Sequence, residues 1–351
     1  MNRTLRSLGR TLAFILAGIL FTRVAAFAAT ETLIIRAAGP GFANVGGIGG
    51  LRILQNPQIA LYDSNRNVIV TNSSWNGPVM VTPTGVSDGV TARQATKTDF
   101  SAVGAFALTP GSLDSAMVVQ VPPGVYTAVV TGQPGDEGNC IVEVYEVPTD
   151  GICRIVNLST RAKVFLPAKG YLIAGLVIGG NTPKKALIRG IGTALTDFGF
   201  DLTQVITIPN LSLYDSSGKI IWANEIWNID AATGQDVSGT VAPVMAEVGA
   251  FPLPLGVPGP GTGSINGQTV NISANAAGVV DLSPGPHTFS LLAGGLPPDI
   301  LEGTALVEAY DADWWTGGTS RLINISTRAY TVSDDATSPV IAGFVIDGAT
   351  G

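Results

Sequence analysis

The sequence predicts an all-β protein made of two tandem antiparallel β-sandwich domains, of the jelly-roll or immunoglobulin-like type. First, the 351-residue chain repeats a series of motifs in one order, about 150 to 170 residues apart, so a domain-sized unit occurs twice. Second, runs of β-branched and apolar residues are bounded by Gly, Pro, Asn and Asp, as strands are. Third, no convincing amphipathic helix follows the N-terminal segment, and many short strands favour a sandwich.

The duplication is carried by four pairs of motifs. They are Ile59–Asn65 with Leu211–Ser217, Ile141–Tyr145 with Leu306–Tyr310, Arg154–Ala162 with Arg321–Ala329, and Leu172–Ile178 with Val340–Ile346. These pairs divide the chain into copy 1, residues 30–181, and copy 2, residues 182–351. A residue present in both copies is expected to serve the shared fold, whereas a residue present in one copy is a better candidate for specialised function.

Residues 1–29 are predicted to be a secretory signal peptide. Three arginines, ending at Arg10, precede the short apolar run Leu12–Phe21, and Ala26 and Ala28 occupy the positions that a signal peptidase reads. The apolar run is shorter than the roughly 20 residues that a membrane-spanning helix needs. We therefore expect a secreted, extracellular or cell-surface protein, of bacterial type, that does not span a membrane.

Each copy is predicted to begin with an apolar strand that ends in arginine, followed by a Gly-rich stretch, a Leu-Tyr-Asp strand, a turn and a return strand. The opening strands are Leu33–Arg36 and Ala186–Arg189, the turns are Asp63–Asn67 and Asp215–Lys219, and the return strands are Val68–Thr71 and Ile220–Ala223. Gly218 suits the positive φ that such turns often need, and Asn is expected to take that role in copy 1. The copies differ mainly at Leu253–Val280, which is expected to be a surface loop or an extra hairpin.

The charge pattern excludes one class of partner. Charged residues make up 13% of the chain and the net charge is −7. Without a basic patch to neutralise phosphates, nucleic-acid binding is not expected.

Catalytic chemistry is not predicted, because the candidate residues recur in both copies or lack partners. The single histidine, His287, aligns with Tyr126 of copy 1 and is expected to be an ordinary strand side chain. No Gly-x-Ser-x-Gly motif is present. Glu143 and Glu308 could form a glycosidase pair, but each occupies the same strand of its own copy. We expect each to form a structural ion pair with a repeated arginine, such as Arg161 or Arg328.

The duplication divides the notable aromatic and charged residues into two groups. The repeated residues are assigned to the fold: Arg36, Arg189, Glu143, Glu308, Arg161, Arg328, Trp75 and Trp227. Trp222, Trp314 and Trp315 have no counterpart in copy 1 and are candidates for contact with a ligand or partner. Adjacent tryptophans in the polar loop Asp311–Ser320 suit a sugar-stacking platform or a protein-contact site, and local packing is the alternative that we favour.

Metal and disulfide chemistry have weak support. Asp311 and Asp313 place two carboxylates in one loop and are weak calcium candidates, although Asp commonly caps its own turn; otherwise no cofactor is expected. Cys140 and Cys153 occur only in copy 1, and secretion would permit a disulfide between them. If their segments form a hairpin, however, the α-carbons would lie beyond the roughly 7 Å bonding limit, so the question stays open.

Two resemblances support the fold class. The strand-turn-strand Leu213–Gly218 and the segment Pro123–Thr127 resemble pre-peptidase C-terminal type β-sandwiches over about a third of each copy. Arg36–Pro40, Asn157–Arg161 and Asn324–Arg328 resemble a tandem module of large secreted bacterial proteins, over nearly the whole mature chain. These resemblances imply an extracellular, non-catalytic sandwich module and imply no catalytic residues.

The functional expectation is a secreted, non-enzymatic structural or adhesive protein of the cell surface or extracellular matrix, with itself or other surface proteins as partner. The chain ends fall at a module boundary, which suggests head-to-tail self-association through terminal strands. A carbohydrate-binding protein that holds polysaccharide with exposed Trp is the first alternative. An accessory domain of a secreted hydrolase is the second.

Overall fold

The structure is a computed structural model, and it describes residues 30–44, 51–147, 153–165, 172–256, 262–265, 268–271, 275–293, 302–316, 320–332 and 338–348. The predicted all-β, antiparallel fold class is confirmed. Within the described ranges, no helix is long and apolar enough to cross a membrane. The signal-peptide prediction for residues 1–29 lies outside the described residues.

Copy 1 contributes the first ten strands and two short helices. The strands are β1 (Glu31–Ala38), β2 (Gln58–Tyr62), β3 (Val68–Asn72), β4 (Met80–Val81), β5 (Thr91–Gln94), β6 (Ser115–Val121), β7 (Gly124–Thr131), β8 (Glu137–Glu146), β9 (Cys153–Phe165) and β10 (Leu172–Gly179). The helices are α1 (Pro83–Ser87) and α2 (Lys97–Ala102), and a 3₁₀ turn lies at Phe42–Asn44.

Copy 2 contributes the remaining strands and one helix. The strands are β11 (Lys184–Ile191), β12 (Pro209–Tyr214), β13 (Ile220–Asn224), β14 (Thr262–Ile265), β15 (Gln268–Asn271), β16 (Ala276–Leu282), β17 (Gly285–Ala293), β18 (Glu302–Asp311), β19 (Arg321–Val332) and β20 (Val340–Gly348). The helix is α3 (Ser238–Glu247), and 3₁₀ turns lie at Thr193–Phe198, Leu202–Gln204 and Trp314–Thr316. The hairpin β14–β15 lies within the predicted insertion Leu253–Val280.

The strands form two long antiparallel runs. One run has the order β5-β6-β1-β8-β19-β10-β17-β12-β13, and the other has the order β4-β3-β2-β7-β20-β9-β18-β11-β16. The runs pack on each other, since β1 contacts β2 and β11 contacts β12. One strand bridge, Lys163 to Tyr330, joins them at the centre. The two copies are therefore related by an approximate twofold axis, and each run contains strands of both.

The last two strands of each copy are exchanged with the other copy. β9 of copy 1 lies between β18 and β20 of copy 2, and β19 of copy 2 lies between β8 and β10 of copy 1. The hydroxyls of Thr160 and Thr327, which are equivalent residues, are hydrogen-bonded at 2.6 Å where these strands meet. The hairpin of β8 with β9 that the sequence suggested is not formed. Each half of the molecule is completed by the other half.

A single hydrophobic core runs between the two layers and through both copies. It includes Leu33 and Leu61 of copy 1 and Ile188 and Phe289 of copy 2, all buried. Inward apolar side chains alternate with outward ones along strands such as β10, and the inward set contributes to this core.

Two smaller cores cover the outer faces of the sheets, one on the β6-β1-β8 strands of copy 1 and one on the β16-β11-β18 strands of copy 2. In copy 1, the buried Asp114 accepts the backbone N–H groups of Gly39 and Gly41 at 2.8 and 3.0 Å and so pins the Gly-rich stretch after β1. In copy 2, Asn275 accepts the N–H groups of Gly192 and Ala194 at 3.0 and 3.2 Å. These bonds hold the covering segments over Arg36 of β1 and Arg189 of β11.

The two hairpin turns differ at one residue. Gly218 has φ +80°, as expected for its turn. In copy 1 the equivalent left-handed residue is Arg66, with φ +68°, and not an asparagine. Since a residue with a Cβ atom rarely adopts this conformation, copy 1 carries local backbone strain that copy 2 avoids.

Candidate functional site

The repeated charged residues form a buried cluster at the same place in each copy. Arg36 is fully buried; its guanidinium lies 4.6 Å from the centre of the Phe100 ring and 4.3 Å from that of Phe106. Its Nε lies 3.5 Å from Glu143 Oε2, and the Tyr145 hydroxyl donates to Glu143 at 2.6 Å. Burial raises the pKa of Glu143, while the charge of Arg36 opposes that rise. The cluster is enclosed under the small core, away from solvent.

Copy 2 reproduces this cluster with the same residue types. Arg189 lies 3.4 Å from Glu308 and 4.1 Å from the centre of the Phe251 ring, and Tyr310 donates to Glu308 at 3.0 Å. The predicted structural ion pairs are therefore present, but Arg161 and Arg328 are the wrong partners. The true partners stand directly opposite the glutamates on the neighbouring strand, Arg36 opposite Glu143 and Arg189 opposite Glu308.

The two arginines that the sequence suggested as partners lie elsewhere. Arg161 is buried on β9 with its guanidinium 5.2 Å from the centre of the Phe200 ring, and Arg328 is half-buried on β19. Burial lowers the pKa of both guanidinium groups. Trp75 and Trp227 are both buried in the small outer cores.

The calcium candidates Asp311 and Asp313 hold a lysine. The buried Lys184 Nζ lies 2.7 Å from Asp311 Oδ1 and 2.6 Å from Asp313 Oδ1. Burial raises the pKa of Asp311 to about 6, and the bond from Lys184 opposes that rise. The ammonium group thus supplies the positive charge at the place where a calcium ion would have to bind.

The equivalent place in copy 1 has the opposite charge balance. Glu31 replaces Lys184 and Glu146 replaces Asp311, and both are buried. Arg321, from copy 2, reaches Glu146 at 2.5 Å. Burial, and then the charge of Glu146, raises the pKa of Glu31 to about 8. Glu146 therefore has an ion pair with Arg321, and the buried Glu31 stands beside it.

The tryptophan loop is the candidate contact site. Trp315 is 47% exposed, whereas Trp314 is half-buried; their rings are perpendicular, with centres 5.9 Å apart. Arg154 donates to the Trp314 carbonyl oxygen, and its guanidinium lies 5.8 Å from the centre of that ring. Since Lys184 fixes Asp313 at the base of the turn, Trp315 is held as one exposed indole face and not as a flat two-ring platform.

Trp222, the third candidate, has a packing role. A Cβ atom on Gly278 would lie 2.3 Å from the Trp222 ring, so this ring fills the space that the glycine leaves. In copy 1 the same two positions hold Val70 and Met117, both fully buried. The pair Trp–Gly therefore replaces the pair Val–Met at similar total volume.

His287 reproduces the bond of the tyrosine that it replaces. The Tyr126 hydroxyl donates to the Pro122 carbonyl oxygen four residues earlier, at 2.8 Å, and the His287 ring bonds the Ser283 carbonyl oxygen at 2.8 Å. Both side chains are buried. This geometry gives the histidine a role in its own hairpin.

The two cysteines are buried in the main core and are not joined to each other. They lie in different strand runs, Cys140 on β8 and Cys153 on β9. The disulfide that the sequence left open is not formed. Burial raises the pKa of Cys140 to about 12 and that of Cys153 to about 11, so neither is a reactive thiolate at neutral pH.

An open groove of about 620 Å³ lies on the solvent face of β10, β17 and β12. Ile173, Tyr214 and Leu292 give it apolar walls, and the Ser290 hydroxyl donates to the Tyr214 hydroxyl at 3.3 Å. It is wide and shallow, unlike the clefts that bury most of a small ligand.

One exposed feature was missed from the sequence. Ile220 and Ile221 of β13 are 52% and 45% exposed, although the corresponding strand of copy 1 is covered. The sequence does contain a signal for this exposure: the segment from Trp227 to Gly249 is shorter than its counterpart from Trp75 to Gly104.

No family model and no curated protein matches this chain. Among solved structures, the chain is similar to that of infectious bursal disease virus Gt strain, at 10% identity over 91% of this chain and 64% of that one, with a TM-score of 0.19. The Gx strain structure matches at 10% identity over 91% and 63%, with a TM-score of 0.17. The chain thus spans slightly less than two thirds of these chains, and scores at this level carry no argument about fold or function.

Proposed function

We propose that this is a secreted, non-catalytic protein that serves as a structural or adhesive part of the cell surface or extracellular matrix. In this proposal a signal peptide, residues 1–29, precedes two tandem β-sandwich modules that exchange their last two strands. One observation carries it: repeated charged residues form ion pairs with each other inside the fold, Arg36 with Glu143 and Arg189 with Glu308. The exposed features peculiar to one copy are apolar side chains, which suit contact and not chemistry.

The distribution of titratable groups supports a contact role over catalysis. Enzymes place residues of shifted pKa in a cleft that the substrate can enter. Here the carboxyl groups whose pKa is raised by burial, among them Glu31, Glu143 and Glu308, are all buried within the fold. Exposed aromatic and aliphatic side chains on a rigid β framework are typical of surfaces that bind other molecules.

The adhesive role is tested by retention. Fluorescently labelled protein comprising residues 30–351 is added to washed cells of the producing organism and to their isolated matrix, with the same protein after thermal unfolding as control. We expect saturable retention of the folded protein, with no release of sugars or peptides. Protein that stays in the medium, or that releases soluble products from the matrix, would contradict the proposal.

Carbohydrate binding is the second candidate, and the fixed, half-exposed Trp315 favours it. A single indole face can stack on one sugar ring. Affinity electrophoresis in a panel of polysaccharides should then show a mobility shift that Trp315→Ala abolishes. Leu255→Ala, which removes a more exposed apolar side chain elsewhere in copy 2, is the matched control. Equal mobility of the wild type and Trp315→Ala in every polysaccharide would exclude this role.

Head-to-tail assembly through terminal strands is not part of the proposal. β1 already lies between β6 and β8, and β20 lies between β7 and β9. Because both edges of each terminal strand are hydrogen-bonded within the molecule, such a contact would require a strand to leave its sheet.

A further inference from the structure

The return strand of copy 1, β3, has a covered outer edge. Val70 and Thr71 pair with Val81 and Met80 of β4. The Thr82 side chain then donates to the Val68 carbonyl oxygen at 2.7 Å, and its N–H donates to that of Ile69 at 3.0 Å.

Helix α1 completes this cover. A Cβ atom on Gly85 of α1 would lie 2.4 Å from the Ile69 carbonyl oxygen, so the helix sits directly on the strand. As a result, Ile69 is fully buried.

The equivalent strand of copy 2, β13, has an open edge. It pairs with β12 on one side, and no other strand among the described residues pairs with it on the other. The chain from Trp227 to Gly249 is seven residues shorter than its counterpart from Trp75 to Gly104, and it contains no equivalent of β4 and α1. Ile221, the equivalent of the fully buried Ile69, is therefore 45% exposed, and Ile220 is 52% exposed.

The charges at the two ends of β13 point to what covers it. Lys219 precedes the strand and Glu225 follows it, both exposed. If a second β13 pairs antiparallel with the first about Trp222, each Lys219 stands opposite a Glu225 of the other chain. Copy 1 has neutral Asn67 and Ser73 at these positions, where the edge is already covered. Of the two return strands, the open one is therefore the one with charges of opposite sign at its ends.

We propose that β13 is a self-association edge, to which a second copy of this chain adds its own β13 in antiparallel orientation. The pairing joins the free backbone groups of both strands and covers Ile220 and Ile221 of both chains. Exposed apolar edge strands are otherwise prone to uncontrolled pairing, and this arrangement uses each edge once. The contact is isologous, so it closes at a dimer and does not propagate into filaments. It holds whether the protein is adhesive or binds carbohydrate.

Concentration dependence is the first test. Sedimentation equilibrium of residues 30–351, from about 1 to 200 μM, should show a reversible monomer–dimer equilibrium, since one short strand gives a small interface. Ile221→Lys should weaken dimerisation at least tenfold, because it places two ammonium groups in the interface. The matched control is Val86→Lys, at a more exposed apolar residue of α1, and it should leave the equilibrium unchanged.

Charge reversal tests the register. Lys219→Glu and Glu225→Lys should each be monomeric, since each places like charges opposite one another. An equimolar mixture of the two variants should form a heterodimer, because every opposed pair then has opposite signs. A loss of stability in either variant would not produce a heterodimer in the mixture. Urea unfolding of each variant measures its stability separately.

The outcomes divide cleanly. Concentration-dependent dimers lost in Ile221→Lys and restored in the mixture support the inference. A monomer at every concentration, a dimer equally affected by Val86→Lys, or a mixture that stays monomeric would overturn it. None of these outcomes depends on retention by cells or on polysaccharide binding.

Discussion

Copy 1 and copy 2 share one framework but differ in how they satisfy it. The buried Arg–Glu–Tyr clusters, the outer cores and the hairpin bonds of Tyr126 and His287 occur in both. At other positions two residues have changed together: Val70 with Met117 has become Trp222 with Gly278. The shared clusters indicate what the fold requires, and the paired change indicates a place where it accepts a different combination that fills the same space.

The two copies also differ in the charge balance at one buried position and in the cover of one strand edge. Lys184 neutralises two carboxylates in copy 2, whereas Glu31 stands beside Glu146 in copy 1. β3 is covered in copy 1, whereas β13 is open in copy 2. These inequalities are the places where we expect the copies to have separate roles.

The largest expected effect is loss of a buried arginine. Arg36→Ala and Arg189→Ala should each reduce the free energy of unfolding by about 3 to 5 kcal/mol, because each leaves a buried glutamate without its partner. Urea denaturation measures this. Arg93→Ala, which breaks an exposed pair with Asp99, should cost less than about 1 kcal/mol. A small effect at only one of the two buried sites would show that the clusters are not equivalent.

The effects of substitutions at Trp222 and Gly278 on the free energy of unfolding should be coupled. Trp222→Val should cost about 3 kcal/mol by leaving a void, and Gly278→Met alone should cost about 1 to 3 kcal/mol by overpacking. The double variant recreates the Val–Met pair of copy 1 and should recover most of the loss in urea unfolding. Additive losses would mean that the two positions do not share one space.

The acidic pair of copy 1 should make stability depend on pH. The folded-state pKa of Glu31 is raised from 4.5 to about 8, so its contribution is present below about pH 4.5 and is lost as the pH rises through 8. Glu31→Gln should therefore be more stable than the wild type by about 1 to 2 kcal/mol at pH 8.5 and nearly equal at pH 4.5. Urea midpoints at both pH values decide, with the exposed Glu247→Gln as control. An unchanged pH dependence in Glu31→Gln would refute the assignment.

The smallest effect is expected at the turns. Arg66→Gly should stabilise the protein by about 0.5 to 1 kcal/mol because it removes the left-handed strain, and Gly218→Arg should destabilise it by a similar amount. Thermal unfolding would show opposite shifts in Tm. Shifts of the same sign would mean that backbone strain does not distinguish the turns.

Local features were predictable from the sequence. The strands, the turns and the duplication follow from short patterns such as Leu-Tyr-Asp and Asn-x-Ser-Thr-Arg. The partners of the buried charges were not, because the register that places Arg36 opposite Glu143 depends on contacts distant in sequence. Lys184 was overlooked because its counterpart is Glu31, so the position does not repeat. The open edge of β13 goes with a segment that is shorter in copy 2 than in copy 1, and the longer insertion nearby concealed that difference.

The strand exchange could not be predicted from the strands themselves. The segments Arg154–Ala162 and Arg321–Ala329 are almost identical, so either can pair with the same neighbours. Propensity and apolar pattern are the same for the exchanged and the unexchanged arrangement. The choice depends on the connections between strands, whose geometry the residue pattern does not specify.

Cross-linking from Cys140 tests the exchange most directly. Ala329 of β19 stands opposite Cys140 of β8; in an unexchanged fold the equivalent Ala162 would stand there. In a Cys153→Ser background, which copies Ser320 of copy 2, Ala329→Cys should form a disulfide with Cys140 on oxidative refolding, as peptide mass spectrometry would show. Ala162→Cys should not. A disulfide from Ala162→Cys, with none from Ala329→Cys, would contradict the exchange of strands between the two copies.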